Sequence, residues 1–169
     1  SEFSEWIPHI KSFSKDNFNI CIFEHWYNIV DLWKEMEKDY CIKNLIIWHA
    51  TNRFSYAYRC FINRYDICLY GTKGKDYTFN YVEERLDDIL GHPVDNAKTG
   101  QQSFALGTKP VELMISYLRV LSNKNQIIVD LFSGGGSTLI ACEKLDRICY
   151  IMEIVPHYCS VIIERWENL

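Results

Sequence analysis

One stretch, Asp130-Leu-Phe-Ser-Gly-Gly-Gly-Ser-Thr138, limits what this chain can fold into more than any other. Upstream of it, Gln126-Ile-Ile-Val129 is a short β-branched run of the kind that forms a strand covered on both faces. Downstream, Thr138-Leu-Ile-Ala-Cys-Glu-Lys-Leu145 repeats its apolar residues at helical intervals. The segment therefore predicts strand, glycine turn, helix. Consecutive glycines let the backbone take positive φ and keep Cβ atoms away from a ligand. The start of the helix presents N–H groups to an acceptor.

The residues narrow the kind of ligand. A Walker-type phosphate loop places Gly-Lys-Ser/Thr after its glycines, whereas Ser137-Thr138 follow Gly136 with no lysine. Dinucleotide folds use Gly-x-Gly-x-x-Gly, against Phe-x-Gly-x-Gly here, with Asp130 closing the strand. A second strand, Arg147-Ile-Cys-Tyr-Ile-Met152, ends in Glu153, whose carboxylate can accept two hydrogen bonds from a ribose diol. Bonds to a charged acceptor contribute roughly 1.5–3 kcal/mol. Acids closing two successive strands around a glycine turn favour an adenosine-bearing ligand without a triphosphate, and S-adenosylmethionine fits.

The rest of the chain reads as an α/β domain. Helical spacing runs through Phe3–Phe13, with Pro8 allowed only near the start of a helix. Asn19–Phe23 reads as a buried strand, and Asn28–Tyr40 as a helix with Ile29, Leu32, Trp33 and Met36 inward. Asn44–Trp48 is a strand, and an aromatic-rich connection, Asn52–Arg64, leads to a strand at Tyr65–Tyr70 stopped by Gly71-Thr-Lys-Gly74. Residues 72–108 lack periodicity apart from a short helix through Tyr81–Leu90 and read as an insert, the natural place for specificity. Pro110 starts a helix with a stripe of Val111, Met114, Leu118 and Leu121, and Pro156 starts one presenting Tyr158, Cys159, Ile162, Ile163 and Trp166. Strands alternating with helices make a doubly wound sheet, in which ligands bind beyond the carboxyl ends of the strands.

With 169 residues and 48% apolar composition, one domain has enough material for a core. No apolar run approaches the roughly 20 residues of a membrane span, and the N-terminus has no signal pattern, so a cytoplasmic protein is expected. Seven cysteines without a Cys-x-x-Cys pair read as reduced core thiols, not zinc ligands or disulfides. The net charge of −4 argues mildly against a nucleic-acid binder, and the insert holds four basic against six acidic residues. His25 and His49 follow apolar strands and receive no catalytic role.

Gly107-Thr-Lys-Pro-Val-Glu-Leu-Met114, Ile128-Val-Asp-Leu-Phe-Ser-Gly-Gly-Gly-Ser-Thr138 and Tyr150-Ile-Met-Glu-Ile154 with Tyr158 resemble DNA methyltransferases that modify the exocyclic amino group of adenine or cytosine. The subgroup resembled places its catalytic half before its cofactor half. Tyr65–Gly74 and the strand ending at Trp48 resemble that family's segments between the catalytic motif and the target-recognition insert, so the likeness covers nearly the whole chain. The resemblance implies a seven-stranded, Rossmann-like sheet binding S-adenosylmethionine. Lys109-Pro110 would begin the helix beside the methionine moiety. Asp130, Phe132, Ser133, Gly134, Gly136, Ser137 and Thr138 would form the cofactor loop, and Glu153 would hold the ribose. The insert would face double-stranded DNA. Asn52, Arg53, Lys73 and Lys75 are the candidate DNA contacts, and Trp48, Asn52 and Phe54 the candidates for stacking on an extruded base.

The chain departs from the family at one point. Its four prolines, Pro8, Pro93, Pro110 and Pro156, include no adjacent pair, so the catalytic Asp/Asn/Ser-Pro-Pro-aromatic tetrapeptide is absent and no catalytic residue is assigned. Ser1 in place of Met leads to the expectation that the chain starts after that motif. Its strand would then be missing between the strand ending at Asp130 and the one at Ile20–Phe23, a gap to be filled by upstream residues or by another chain, including a second copy. Three activities follow: a site-specific DNA methyltransferase of a modification system or prophage, an inactive remnant that holds cofactor or DNA, or a methyltransferase for RNA or a small molecule.

Overall fold

The computed structural model describes residues 2–53, 58–81, 87–94 and 108–169. They form two units, one from the described residues within 1–50, 54–79 and 84–91, the other from those within 51–53, 80–83 and 92–169.

The first unit is a four-stranded sheet with two helices. Helix α1 (Phe3–Phe13) buries Phe3, Ile7 and Ile10 and keeps Pro8 in its interior, not at its start. An interior proline costs about 3 kcal/mol. Burying three large apolar side chains, at roughly 1.5–3 kcal/mol each, outweighs that cost. Strand β1 (Phe18–Glu24) is followed by α2 (Ile29–Met36), β2 (Cys41–Ala50), β3 (Tyr65–Lys73) and β4 (Ile89–His92). The order is β1-β3-β2-β4, with β3 antiparallel to both β1 and β2.

Three expectations change here. Helix α2 ends near Met36 and buries Leu32, Glu35 and Met36, whereas Trp33 is exposed. Glu35 tolerates burial because Lys38 Nζ lies 2.6 Å from its carboxylate. Gly71 does not stop β3 but lies within it, where a Cβ would come 3.2 Å from Met36 Cε. The glycine is there to let α2 approach, and the chain turns at Gly74, with φ of 74°. Finally, Ile89–His92 is a strand where a helix was expected. Residues 82–86 of that expected helix, and residues 95–107 of the insert, lie outside the described residues.

The second unit contains α3 (Val111–Leu121), β5 (Ile127–Asp130), α4 (Ser137–Lys144), β6 (Ile148–Ile151) and α5 (Pro156–Glu167). Helix α3 buries Leu113, Met114, Ile115, Tyr117, Leu118 and Val120, much more than one stripe. In α5 only Val161 and Ile162 are buried, and Ile163 and Trp166 are exposed. Strands β5 and β6 pair in parallel and form a sheet of their own. This two-stranded sheet is not covered on both faces, contrary to the reading of its apolar run. Ile127, Val129, Ile148 and Tyr150 share one face by register and are 46–61% exposed.

Arg147 knots the second unit together. Its guanidinium donates to the carbonyl and hydroxyl of Ser122 and to the carbonyl of Leu145, so a cation meets the carbonyl end of α3. Asn125 and Asp146, short polar residues that tolerate the left-handed region, carry φ of 63° and 57° in the flanking turns. All seven cysteines are free thiols, but Cys21, Cys41 and Cys60 are exposed, not in the core. No helix among the described residues is long and apolar enough to cross a membrane.

Candidate functional site

The end of β5, the glycine turn, the start of α4 and the end of β6 converge in the second unit. Parallel pairing continues past the strands: Met152 N–H donates to Asp130 O (2.8 Å) and Ser133 N–H to Met152 O (3.0 Å). This brings the chain after Asp130 beside Glu153. The Asp130 carboxylate accepts the N–H of Phe132 at 3.0 Å, a two-residue turn that bends the chain out of the strand. The ring of Phe132 is left largely exposed.

Glu153 fastens the turn. One carboxylate oxygen accepts the N–H of Gly134 at 2.8 Å, and the other accepts the N–H of Val155 at 2.9 Å. Each oxygen has two lone pairs, so one acceptor position per oxygen remains beyond these backbone bonds. A ligand bearing two neighbouring hydroxyls matches that remaining capacity.

The three glycines do three different jobs. Gly134 has φ of 51°, and a Cβ built on it would meet nothing within 4 Å. Only this glycine faces open space, as a ligand-bearing turn requires. A Cβ on Gly135 would lie 2.7 Å from Thr108 Oγ1 and 2.8 Å from its Cγ2, and Arg165 donates to the Gly135 carbonyl. On Gly136, at φ of 78°, a Cβ would lie 2.9 Å from two carbons of Ile162. The second and third glycines therefore let Thr108 and α5 pack against the turn. Thr108 and Arg165 are partners that no local pattern announced, because neither is near the turn in sequence.

The remaining loop residues divide in the same way. Ser137 is buried and donates its hydroxyl to Lys109 O, which ties the Lys109-Pro110 backbone to the first turn of α4. Pro110 precedes α3 in extended conformation. Ser133 is 8% exposed, and its hydroxyl oxygen is buried without a hydrogen-bond partner. Leaving such a group unsatisfied costs about 1–3 kcal/mol, which a polar ligand atom can recover. Thr138 is half-buried one residue into α4. Behind this helix Cys142 and Cys149 share a thiol–thiol hydrogen bond that holds the Cys142 thiol below its ordinary range, assisted by Arg147, and pushes Cys149 up.

The residues singled out for DNA or base contact fare less uniformly. Asn52 is engaged by the backbone of Val94, accepting its N–H at 2.6 Å and donating to its carbonyl at 3.1 Å, so it serves to hold residues 92–94. Arg53 is half-buried. In the first unit Trp48 is fully buried in the core and cannot stack on a base. Lys73 lies over the Phe18 ring at 6.0 Å, and the Lys75 N–H is held by Asn17 Oδ1 at 3.0 Å. Phe54 lies outside the described residues.

Comparison with known proteins identifies the family and the fold. A family model described as DNA methylase matches residues 1–164. Among curated proteins, the type II methyltransferase M2.MboI of Moraxella bovis is 28% identical over 154 residues, covering 85% of this chain and 56% of the relative. The type II methyltransferase M1.MboII of Moraxella bovis is 23% identical over 180 residues, covering 84% of this chain and 69% of the relative. The chain thus spans little more than half the length of the first of these relatives. Among solved structures, the M1.HpyAVI–SAM complex superposes with a TM-score of 0.87 at 22% identity, covering 99% of this chain and 83% of that one. At that identity the superposition establishes the fold, which is the Rossmann-like methyltransferase α/β architecture.

Proposed function

The chain belongs to the N6-adenine/N4-cytosine DNA methyltransferase family, and from that premise we propose that it binds S-adenosylmethionine and serves methyl transfer to the exocyclic amino group of adenine or cytosine. Its substrate in this reading is double-stranded DNA in the cytoplasm, within a modification system or prophage. The observation that carries the reading is Glu153, which fixes the glycine turn through the Gly134 N–H and keeps acceptor capacity beside the open space at Gly134.

The site residues fit that cofactor. Glu153 would accept both ribose hydroxyls, the unpartnered Ser133 hydroxyl would meet a polar group of the ligand, and Lys109-Pro110 would flank its methionine end. S-adenosylmethionine, when bound, supplies a sulfonium methyl group for transfer to nitrogen. The chain's own contribution is orientation, which yields up to about 7–11 kcal/mol in favourable intramolecular cases. The base must leave the duplex at a cost of a few kcal/mol.

We further propose that another segment completes the enzyme, from residues beyond this sequence or from a second chain. The four prolines include no adjacent pair, and the apolar face of β5 and β6 is exposed. A second reading, an inactive protein that holds cofactor or DNA, rests on the same missing tetrapeptide.

Calorimetric titration with S-adenosylmethionine and its demethylated product tests the cofactor site. Saturable binding is expected, and Gly134→Val or Glu153→Ala should lower the affinity at least tenfold; unchanged affinity in both variants would refute the placement. Methyl incorporation into duplex DNA, RNA and metabolite pools then separates the activities. Label confined to RNA or metabolites would overturn the DNA reading, and binding without incorporation by the completed protein would favour the inactive one.

A further inference from the structure

Helix α5 meets the glycine turn with Ile162 and Arg165, two residues whose spacing places them on one face of a helix. Ile162 takes the room left by the missing Cβ of Gly136, within 2.9 Å of where that atom would stand. Arg165 Nη1 comes 3.2 Å from the corresponding point on Gly135, and the guanidinium donates to the Gly135 carbonyl. Thr108 packs on the same glycine. An apolar contact thus accompanies a charged donor aimed at one backbone oxygen.

The turn needs such ties. Three consecutive glycines have more conformational freedom than any other three residues, and ordering them is entropically costly. The Gly136 N–H donates to Ser133 O at 2.8 Å and closes a four-residue turn. Its first central residue, Gly134, has φ of 51°, as in a type II′ turn. The peptide between Ser133 and Gly134 is held at both ends, its oxygen by Gly136 and its N–H by Glu153. The peptide between Gly135 and Gly136 is also held at both ends, its N–H by Ser133 O and its oxygen by Arg165. Hydrogen bonds from a charged donor are stronger than those between neutral groups. Glu153 therefore fixes the first half of the turn and Arg165 the second.

We infer that Arg165 is a positioning residue for the cofactor: it acts through the Gly135 carbonyl and keeps the turn in its binding arrangement before the ligand arrives. The inference rests on the S-adenosylmethionine reading above. A site that is only fractionally in its competent arrangement binds more weakly by that fraction, so losing the tie should weaken binding with no ligand contact removed. The effect should fall equally on S-adenosylmethionine and on its demethylated product, because it works on the turn and not on the sulfonium charge that only the first carries. A cation acting directly on the ligand would treat the two differently.

Calorimetric titration of the whole chain with both ligands, beside amide hydrogen exchange of the ligand-free protein read by NMR, tests this role. Arg165→Met should raise the Kd of both ligands by the same factor, about tenfold. The Gly136 amide should exchange faster by a similar factor, while interior amides of α4 and α5 keep the parent's protection. Arg165→Lys, which retains a charged donor, should recover most of the lost affinity. Trp166→Phe, which removes the 3.2 Å bond from Trp166 to Glu143 between α5 and α4, should bind as the parent does. Parent-like affinity in Arg165→Met, no recovery in Arg165→Lys, or an equal loss in Trp166→Phe overturns the inference. So do unequal factors for the two ligands, which would mean a direct action of the charge, and faster exchange throughout α4 and α5, which would mean general loosening. The parent's own titration keeps the two questions apart. A parent that binds neither ligand sinks the cofactor reading, and the Gly136 amide then decides by itself whether Arg165 holds the turn.

Discussion

Strands β3 and β5 begin from similar sequence and end in different surroundings. Ile67-Cys-Leu-Tyr70 is buried at every position, whereas Ile127-Ile-Val-Asp130 alternates exposed and half-buried residues. The difference lies in the neighbours. Strand β3 is hydrogen-bonded on both edges, by β1 and β2, and α2 reaches it through the gap at Gly71. Among the described residues strand β5 has one strand neighbour, β6, and of the two faces of that pair one leaves Ile127, Val129, Ile148 and Tyr150 in water. An apolar run thus shows that burial is favourable, and the elements around it decide whether it happens.

Truncation separates the two strands most sharply. Leu69→Ala, at a fully buried position of β3, should destabilise the first unit by about 2–5 kcal/mol, because the cavity adds to the lost transfer energy. Val129→Ala on the exposed face of β5 should cost less than ~1 kcal/mol. Urea unfolding measured for both variants checks the pair, and equal losses would break the comparison.

A smaller effect shows that the second unit is tightly packed elsewhere. Gly135→Ala would push a methyl into Thr108 and should cost about 1–3 kcal/mol, the usual penalty of overpacking. Hydrogen exchange at the amides of α4 should report it as faster opening. Protection equal to that of the parent would mean that Thr108 moves freely aside.

The smallest effect is also the most informative about completion of the sheet. Replacing both Val129 and Ile148 with threonine should change the stability of this chain by less than ~0.5 kcal/mol, since both side chains are already about half in water. In a complex with the segment or chain proposed to cover this face, the same pair should weaken association measurably by analytical ultracentrifugation. Intact association would mean that the occupant covers another surface.

Much of the site was legible in the sequence because its parts are local. Asp130, the glycine turn and the start of α4 are consecutive, and Glu153 follows the next strand, so strand–turn–helix periodicity was enough to bring them together. Element type was legible for the same reason wherever the period was sustained, as in α1 and α3. It failed at Ile89–His92, which became strand β4 through pairing with β2, an interaction between residues about forty positions apart. It failed also at Gly71, where a residue read as a breaker marks the approach of a helix.

By itself, then, the sequence determined the order of strands and helices apart from β4, the acid–glycine–acid constellation and the absence of paired prolines. These are properties of neighbouring residues, set by backbone preference and periodicity. Tertiary structure alone decided that Gly134 opens to space while Gly135 and Gly136 receive Thr108 and Ile162, that Trp48 is core and Trp26 surface, and that one face of β5 stays uncovered. Each of those outcomes depends on close packing with residues distant in the chain, which no local pattern encodes.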